Sequence, residues 1–485
     1  MHPCVPGYSW FITAKISDVM ESGCHRSNVK QRTTIPRWYG CVKWIEWANQ
    51  MSSPRLNVFQ RLVRQWDTVH PYNAAQVLRI RAVPDPLAIR RAWQRALASL
   101  GIGPVRVTGQ CYRYEAVNGN AERFDVPVLA AGTCLHAHLS NEMNRAFGPE
   151  ELPLRPFMLP LEDGSYYFGV VYHHWIADSA SIRLVLREWF ARAHDPAAAG
   201  DEPALIPLTG YWANFGPPKS RWRLSSQVLS LFRSASQFRG VRKLKTQNSA
   251  DFDMRFLVRR LPAGTLPRLL AVARGNGVTV NDLFLAAIAD VCNRFTPVRN
   301  IPRRKDLAIG TIVDLRARAK RDMSRVFGLF LGFANVICRR EDLKNWPRLV
   351  REIAKQTRIH KESDTAQASS MWMFAALTAA RFVPVQKTFR FYRKHMPLAG
   401  GISNVNLNTT WAAKYHPGLL LEYIRVSPTG PMVPLVFTPT TLGDDLLFGL
   451  TYRASLFTGD LPEKIAATFQ LRLEQIAECG EGLLS

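Results

Sequence analysis

The sequence lacks the long apolar run that a membrane-spanning helix requires. None of its 485 residues lie in a stretch that reaches the roughly 20 apolar residues needed to cross a bilayer. The best candidate, residues 365–380, is short and contains Gln, Ser and Thr. The N-terminus has no basic region followed by an apolar block, so we predict no secretory signal. The expected location is therefore the cytoplasm.

Paired cysteines and short internal repeats are missing as well. The eight cysteines are dispersed, without a CxxC pair or a histidine at zinc-ligand spacing. This excludes a disulfide-stapled miniprotein and favours buried or free thiols in a reducing compartment. Hydrophobic residues make up 47 % of the chain and charged residues 21 %, values typical of a soluble globular protein, which excludes wholesale disorder.

Acidic residues are few relative to basic ones. Sixty-three Lys and Arg against 38 Asp and Glu give a net charge of +25. A field of this size attracts nucleic acid, anionic lipid headgroups, an acidic acyl carrier protein or the phosphates of a nucleotide cofactor. Charge alone does not choose among them. Nucleic acid is disfavoured because no helix-turn-helix, RNA-recognition or zinc-finger pattern accompanies the charge.

The chain is long enough for two or three domains, and it divides into four parts. Residues 1–50 show no sustained period, so we interpret them as an atypical leader outside the fold. An α/β pattern occupies 51–205, a basic crossover segment 206–250, and a second α/β series 251–485. The predicted strands are 75–82 (half-buried), 166–172, 253–260 and 306–313, and the predicted helices are 86–100, 181–193, 266–274 and 280–294. Asp85 is the predicted N-cap of the first of these helices, with Pro86 at its first position.

The densest group of reactive side chains lies at the end of the strand at 166–172. His173 and His174 are adjacent, and Asp178 follows four residues after the second histidine. A strand end can present His174 to a cleft, while the following turn lets Asp178 fold back to orient the imidazole or brace the loop, directly or through an arginine. A hydrogen-bonded core histidine pair is the alternative. A metal site is disfavoured, because only two histidines and one aspartate are available locally.

This pattern resembles the HHxxxDG motif of the chloramphenicol-acetyltransferase-like acyltransferases. That superfamily includes peptide-synthetase condensation domains, plant alcohol acyltransferases and bacterial wax-ester synthase/diacylglycerol acyltransferases. Further segments resemble the same family in order along the chain, from about residue 55 to the C-terminus: 152–158, 279–287, 313–316, 326–328 and 402–405. The resemblance implies an α/β fold of two lobes, each a mixed β-sheet flanked by helices, with an active-site tunnel between them.

The resemblance also implies roles for individual residues. His174 would be the general base that takes a proton from the acceptor, with His173 beside it, since a neutral imidazole suits that step at neutral pH. Ser403 and Asn404 would donate hydrogen bonds to the oxyanion or bind substrate, or would be structural turn residues. Asp178 would be structural, paired with Arg316, which lies 138 positions away, or with Arg318 if the register of the strand is shifted. No metal and no bound cofactor are implied; acyl-CoA or an acylated carrier protein would be the co-substrate.

The chain departs from the family pattern at two points. Ser179 stands where the motif has glycine, close to the channel for the donor's pantetheine, and its side chain is expected to narrow that channel. The Pro-Gly-Pro that often follows the Ser-Asn-Val element is replaced by Asn406-Leu-Asn408.

Two basic stretches remain, at 219–245 and 381–395, each with bulky apolar residues interleaved. A solvated helix face is one interpretation. An interfacial helix on anionic lipid is another, and it would place the protein at the inner membrane face and favour a lipid-like acceptor.

The sequence therefore predicts an O-acyltransferase that moves an acyl group from a thioester to a hydroxyl. The alternatives are a free-standing condensation domain that forms an amide, and a non-catalytic binding or scaffold protein that retains the fold. Ser179 favours the scaffold, and the intact His174 and Asp178 disfavour it.

Overall fold

A computed structural model describes residues 54–115, 124–195, 215, 236–248, 251–319, 321–362 and 365–479. The leader predicted at 1–50, most of the crossover segment and the greater part of the first basic stretch lie outside these residues.

The described part of the chain contains helices interspersed with strands. The helices are α1 (Val58–Asp67), α2 (Pro86–Leu100), α3 (Leu135–Asn144), α4 (Ser179–His194), α5 (Thr265–Gly275), α6 (Val280–Phe295), α7 (Trp346–Glu362), α8 (Thr365–Ala380), α9 (Thr388–His395), α10 (Ala413–Tyr415) and α11 (Leu461–Cys479). The strands are β1 (Asn73–Ile80), β2 (Val105–Thr108), β3 (Cys111–Tyr114), β4 (Leu154–Pro160), β5 (Tyr166–His173), β6 (Met254–Arg260), β7 (Leu307–Asp314), β8 (Leu331–Cys338), β9 (Gly400–Ile402), β10 (Val405–Asn406), β11 (Leu420–Val426), β12 (Leu435–Leu442) and β13 (Asp445–Arg453). Short 3₁₀ turns at Arg316–Arg318, Asp342–Lys344 and Val385–Lys387 and a π-helical turn at Asn408–Ala412 complete the set.

The first lobe is built on a four-stranded sheet in the order β11-β1-β5-β4, antiparallel throughout. Helices α2 and α4 pack together on one face, where the rings of Trp93 and Trp189 lie 4.7 Å apart. Strand β11 comes from the C-terminal part of the chain, so the first sheet is completed by a segment that the sequence division had placed with the second lobe.

The second lobe is built on a sheet in the order β6-β13-β12-β9-β7-β8, with β10 beside β12. This sheet is mixed. Strand β9 lies parallel to both β7 and β12, whereas the pairs β6–β13, β12–β13 and β7–β8 are antiparallel. Helices α5, α6 and α11 contact one another over this sheet. The predicted α/β fold of two lobes, with sheets flanked by helices, is confirmed.

A small apolar cluster joins the two lobes. Helix α3 lies over β1, β5 and β11 of the first sheet and contributes Leu139 and Met143. Met254 and Phe256, from β6 of the second sheet, pack into the same cluster. The lobes are therefore held together by apolar burial as well as by the exchanged strand β11.

Local sequence signals account for the elements that position the site. Helix α2 begins at Pro86 because the Asp85 carboxylate accepts from the N–H groups of Leu87 and Ala88, at 2.9 and 3.0 Å, and it ends at Gly101, whose φ is +63°. Strand β1 was predicted to be half-buried; this is wrong, because α3 covers one face and the helices of the first lobe cover the other.

Within the ranges given above, no helix has both the length and the apolar character needed to span a membrane.

Candidate active site

The histidine motif occupies the tight connection between β5 and α4. Strand β5 ends at His173, and the chain turns at once, with the Ile176 N–H donating to the His173 carbonyl at 3.1 Å. Asp178 is the N-cap of α4, and its carboxylate accepts from the Ser181 N–H at 3.0 Å. The loop is thus fixed at both ends by hydrogen bonds that require this spacing.

The imidazole of His174 is oriented by a backbone carbonyl. Its Nδ1 lies 2.9 Å from the carbonyl oxygen of Ala177, and because a carbonyl only accepts, Nδ1 carries the proton. Nε2 is then an acceptor, and it makes no hydrogen bond to the described residues. The ring stacks on Tyr72, with centroids 5.7 Å apart. Burial lowers the pKa of His174, so the imidazole is neutral near pH 7, the form that a general base needs.

His173 faces the other way, into the first lobe. Its Nε2 lies 3.0 Å from an Asp67 carboxylate oxygen, and its Nδ1 accepts from the Trp175 indole at 3.1 Å. The ring stacks on Phe147 with an interplanar angle of 8°. These contacts all lie on the side of the first lobe, so His173 supports the loop.

Asp178 and Arg316 form a buried ion pair, as predicted. The Asp178 side chain is fully buried and lies 2.7 Å from the Arg316 guanidinium. The same carboxylate accepts from the Phe330 N–H at 2.8 Å. Burial alone would raise the pKa of Asp178, but the guanidinium and two backbone N–H donors hold it below its usual value.

A segment that was singled out by resemblance, 326–328, packs against this pair. Gly328 exchanges two hydrogen bonds with the Ser181 hydroxyl, at 2.8 and 2.9 Å. Its φ of +153° and the Phe330 ring, 2.8 Å from where a Cβ would lie, both require glycine. Arg316 adds a bond to the Ser181 hydroxyl at 2.8 Å. The motif of the first lobe is therefore held by residues of the connection between β7 and β8.

A cavity of about 320 Å³ lies between the two lobes in front of His174. His174 and Ser179 line it from the first lobe, and Ser403 and Asn404 line it from the second. The structure therefore brings together four of the residues that the sequence singled out, while His173, Asp178 and Arg316 lie outside the cavity wall.

Ser403 lines this cavity from the second lobe. Its backbone N–H donates to the Phe437 carbonyl at 2.9 Å, and its hydroxyl oxygen accepts from Arg425 at 2.8 Å. The O–H proton of Ser403 is left to donate. Asn404 is exposed in the same wall, where its amide is a second donor.

The hydroxyl of Ser179 is engaged by the first lobe. It lies 3.1 Å from both the Gln76 amide and an Arg183 guanidinium nitrogen, and the Tyr423 hydroxyl donates to Gln76 at 2.6 Å. The substitution of glycine by serine therefore adds an acceptor for two donors as well as adding bulk beside the channel.

Gln76, Arg183 and Arg425 line the cavity and were not identified from the sequence. The available signal was a polar residue at a position buried between apolar neighbours, as Gln76 is in β1. The strand containing Arg425 was not predicted, so this residue could not be placed.

The segment at 279–287, which resembles a family motif, proves to be the start of a helix. Thr279 is the N-cap of α6 and forms a capping box with Asp282. The second Asp282 oxygen accepts from the Thr357 hydroxyl of α7 at 2.6 Å. These side chains join α6 to α7 and do not line the cavity.

The basic stretches give no continuous amphipathic surface in the described part of the chain. Residues 219–235 lie outside the residues that the structure describes. Phe238, Val241 and Leu244 are buried, so their apolar side chains face the protein. The second stretch is broken by the 3₁₀ turn before α9, and its Phe382 is 86 % exposed. Membrane association and a lipid-like acceptor stay predictions.

The chain is similar to known proteins both in sequence and in structure. The chain is 21 % identical over 361 residues to a linear gramicidin synthase of Brevibacillus parabrevis, a match that covers 72 % of this chain but only 4 % of that protein's length. The TRI3 trichothecene 15-O-acetyltransferase of Fusarium sporotrichioides superposes with a TM-score of 0.67 and 13 % identity, covering 87 % of this chain and 95 % of that one.

The EpoB cyclization-docking bidomain of Sorangium cellulosum superposes with a TM-score of 0.62 and 14 % identity, covering 98 % of this chain and 92 % of that one. At these identities the likeness concerns the fold. The family model of the condensation domain matches residues 130–380. Because this match takes in more than half of the chain, including the histidine motif and its Arg316 partner, the chain belongs to the condensation-domain family.

Proposed function

We propose that this protein is an O-acyltransferase, which moves an acyl group from a thioester to a hydroxyl acceptor with His174 as general base. The single observation that carries the proposal is the orientation of His174. Its Nδ1 is bound to the Ala177 carbonyl, so that the unprotonated Nε2 is left at the cavity between the lobes.

The reaction follows from that geometry. Nε2 of His174 takes the proton from the acceptor hydroxyl, and the oxygen forms a bond to the thioester carbonyl carbon. The charge that develops on the carbonyl oxygen is stabilised by the Ser403 hydroxyl and the Asn404 amide. When the carbon–sulfur bond breaks, the departing thiolate takes the proton back from His174. An ester and a free thiol result, and no covalent enzyme intermediate is needed.

The donor in this proposal is acyl-CoA or an acylated carrier protein. The net charge of +25 suits the 3′-phosphate of CoA and an acidic carrier domain alike. A lipid-like acceptor, met at an anionic membrane surface, is a further form of the proposal, and its support is the positive charge of the two basic stretches.

Amide formation is the second candidate. It is favoured by the family match, because one relative in sequence is a linear gramicidin synthase. The chemistry at His174 is the same with an amine in place of the hydroxyl, so the acceptor decides between the two.

The test is a matrix of transfer assays on the full chain. Radiolabelled acyl-CoA and an acylated carrier protein are each incubated with alcohol acceptors, including a fatty alcohol, and with amine acceptors. We expect labelled ester in the alcohol arms, with the His174→Ala protein as the background. Labelled amide alone would replace the ester proposal by amide formation. Absence of product in every arm would overturn the enzymatic function in favour of a scaffold.

A further inference from the structure

Two arginines line the cavity without an acidic partner. Arg425 lies on β11 and is 3 % exposed, and Arg183 lies one turn into α4 and is half-buried. Within the described ranges, neither guanidinium lies within ion-pair distance of a carboxylate. Arg316, by contrast, is paired with Asp178 at 2.7 Å.

The partners of the two cavity arginines are neutral. Arg425 donates to the Ser403 carbonyl at 2.9 Å and to the Ser403 hydroxyl at 2.8 Å, while its Nε has no hydrogen-bond partner in the described residues. Arg183 donates to the Ser179 hydroxyl at 3.1 Å. Neutral oxygens satisfy part of the hydrogen-bonding capacity of a guanidinium but leave its charge uncompensated.

The charge on Arg425 persists at neutral pH. Burial, reinforced by the nearby Arg183, lowers the pKa of Arg425 to about 10, which still leaves the guanidinium protonated. The acidic residue in the cavity wall, Asp314, is engaged by Arg316, which donates to it through the backbone N–H at 2.9 Å and the side chain at 3.3 Å. A buried positive charge without compensation is unfavourable unless a ligand supplies the opposite charge.

The start of α4 adds to this field. Ser179 and Ala180 occupy the first turn of a 16-residue helix and line the cavity beside Arg183. The N-terminal end of a helix carries partial positive charge and free N–H groups. The Asp178 carboxylate already caps this end and is paired with Arg316, so among the described residues Arg183 and Arg425 are the unpaired positive charges at this side of the cavity that holds His174.

We propose that Arg183 and Arg425 form a binding site for an oxyanion group of the substrate, either a carboxylate on the acceptor or acyl group, or the phosphate of the donor's pantetheine arm. The guanidinium fork matches both groups. That the ligand is a substrate rests on the proposed function; that the site binds an oxyanion does not. The site selects anionic substrates over neutral molecules of the same skeleton.

The test measures binding by titration calorimetry on the full chain carrying His174→Ala, so that no turnover occurs. Two matched pairs of probes are used: mandelate against mandelamide, and phenyl phosphate against benzyl alcohol. We expect the anion of at least one pair to bind about tenfold or more tightly than its neutral partner, as the loss of one charge-assisted hydrogen bond implies. The pair with the larger preference distinguishes a carboxylate from a phosphate.

Adding Arg183→Gln should bring the preference to within about twofold. Arg187→Gln is the matched control, one turn along α4, because Arg187 lies outside the cavity wall and is 37 % exposed. It should leave the preference unchanged. Arg425→Gln is a second variant, and its melting temperature checks its fold, because Arg425 also holds Ser403.

Equal binding of anion and neutral molecule in both pairs, no binding of either anion, or a preference that survives Arg183→Gln would overturn the inference. Transfer by the unaltered chain is measured separately. An anion preference without transfer would overturn the proposed function alone, and transfer without an anion preference would overturn the anion site alone.

Discussion

The histidine motif has two sides, which differ in whether their charged or titratable groups have partners of opposite charge. On the side turned away from the cavity, Asp178 meets Arg316 and His173 meets Asp67, so each charged or titratable group has a partner of opposite character. On the cavity side, His174 and Arg425 meet only neutral groups. We infer that the first side holds the loop in place, whereas the second keeps its capacity for a ligand.

The largest effect should come from removing the group that faces the cavity. His174→Ala should lower the transfer rate by about 10²–10⁴-fold, the usual contribution of a general base, while the melting temperature stays close to that of the unaltered chain. Steady-state kinetics and thermal unfolding measure the two quantities. His395→Ala, at the exposed end of α9, is the control. Equal rates in the His174→Ala and unaltered proteins would contradict the mechanism.

On the side turned away from the cavity, here called the paired side, substitutions should lower the free energy of unfolding. Asp178→Ala and Arg316→Ala each leave a buried charge unpaired, and each should cost about 3–5 kcal/mol in the free energy of unfolding. The double variant should cost little more than either single one, so the coupling energy in a double-mutant cycle is large. Denaturant unfolding gives these values. Additive costs would show that the two residues act independently.

The exposed pair Arg79–Asp163 is the matched control, because its charged atoms lie 2.6 Å apart while the side chains are 32 and 53 % exposed. Its removal should change the free energy of unfolding far less than removal of either member of the buried pair, because solvent screens exposed charges.

The pH profile should report the titration of His174. Because burial lowers the pKa of this imidazole below 6.5, the unprotonated base predominates at neutral pH and is lost as the pH falls through that lowered value. We expect kcat/KM to be flat near neutral pH and to fall about tenfold per unit below the lowered pKa. An acidic limb with an apparent pKa above 6.5 would contradict this assignment.

His173→Ala should have a smaller effect than either of the changes above. The variant loses the contact with Asp67 and the stacking on Phe147, so the free energy of unfolding should drop by about 1 kcal/mol. The rate should fall by less than tenfold, because His173 does not line the cavity. A loss of rate as large as that of His174→Ala would show that both histidines take part in the reaction.

The paired side of the motif could be predicted from the sequence, and the cavity side only in part. The strand predicted at 166–172 and the Asp85 cap rest on local signals, and the structure has that strand at Tyr166–His173. The Asp178–Arg316 pair followed from the resemblance, because a family pattern relates residues far apart in the sequence and periodicity does not. Arg425 could not be placed, because β11 crosses from the C-terminal part of the chain into the first sheet. Such an exchange depends on tertiary packing that short-range patterns do not encode.

The smallest and most discriminating prediction concerns two serines in the first turn of α4. The Ser181 hydroxyl bonds Gly328 and Arg316 on the paired side, so Ser181→Ala leaves buried groups unsatisfied and should cost about 1–3 kcal/mol in the free energy of unfolding.

Ser179→Ala removes an acceptor that is half-buried at the cavity, and it should change that free energy by about 0.5 kcal/mol or less. Its effect should appear instead in KM, by about threefold, because Arg183 loses the hydroxyl that positions it. Denaturant unfolding and steady-state kinetics on the two variants separate these outcomes. If Ser179→Ala destabilises the protein as much as Ser181→Ala does, then Ser179 supports the loop, and the division of the motif into a paired side and a ligand-facing side does not extend to it.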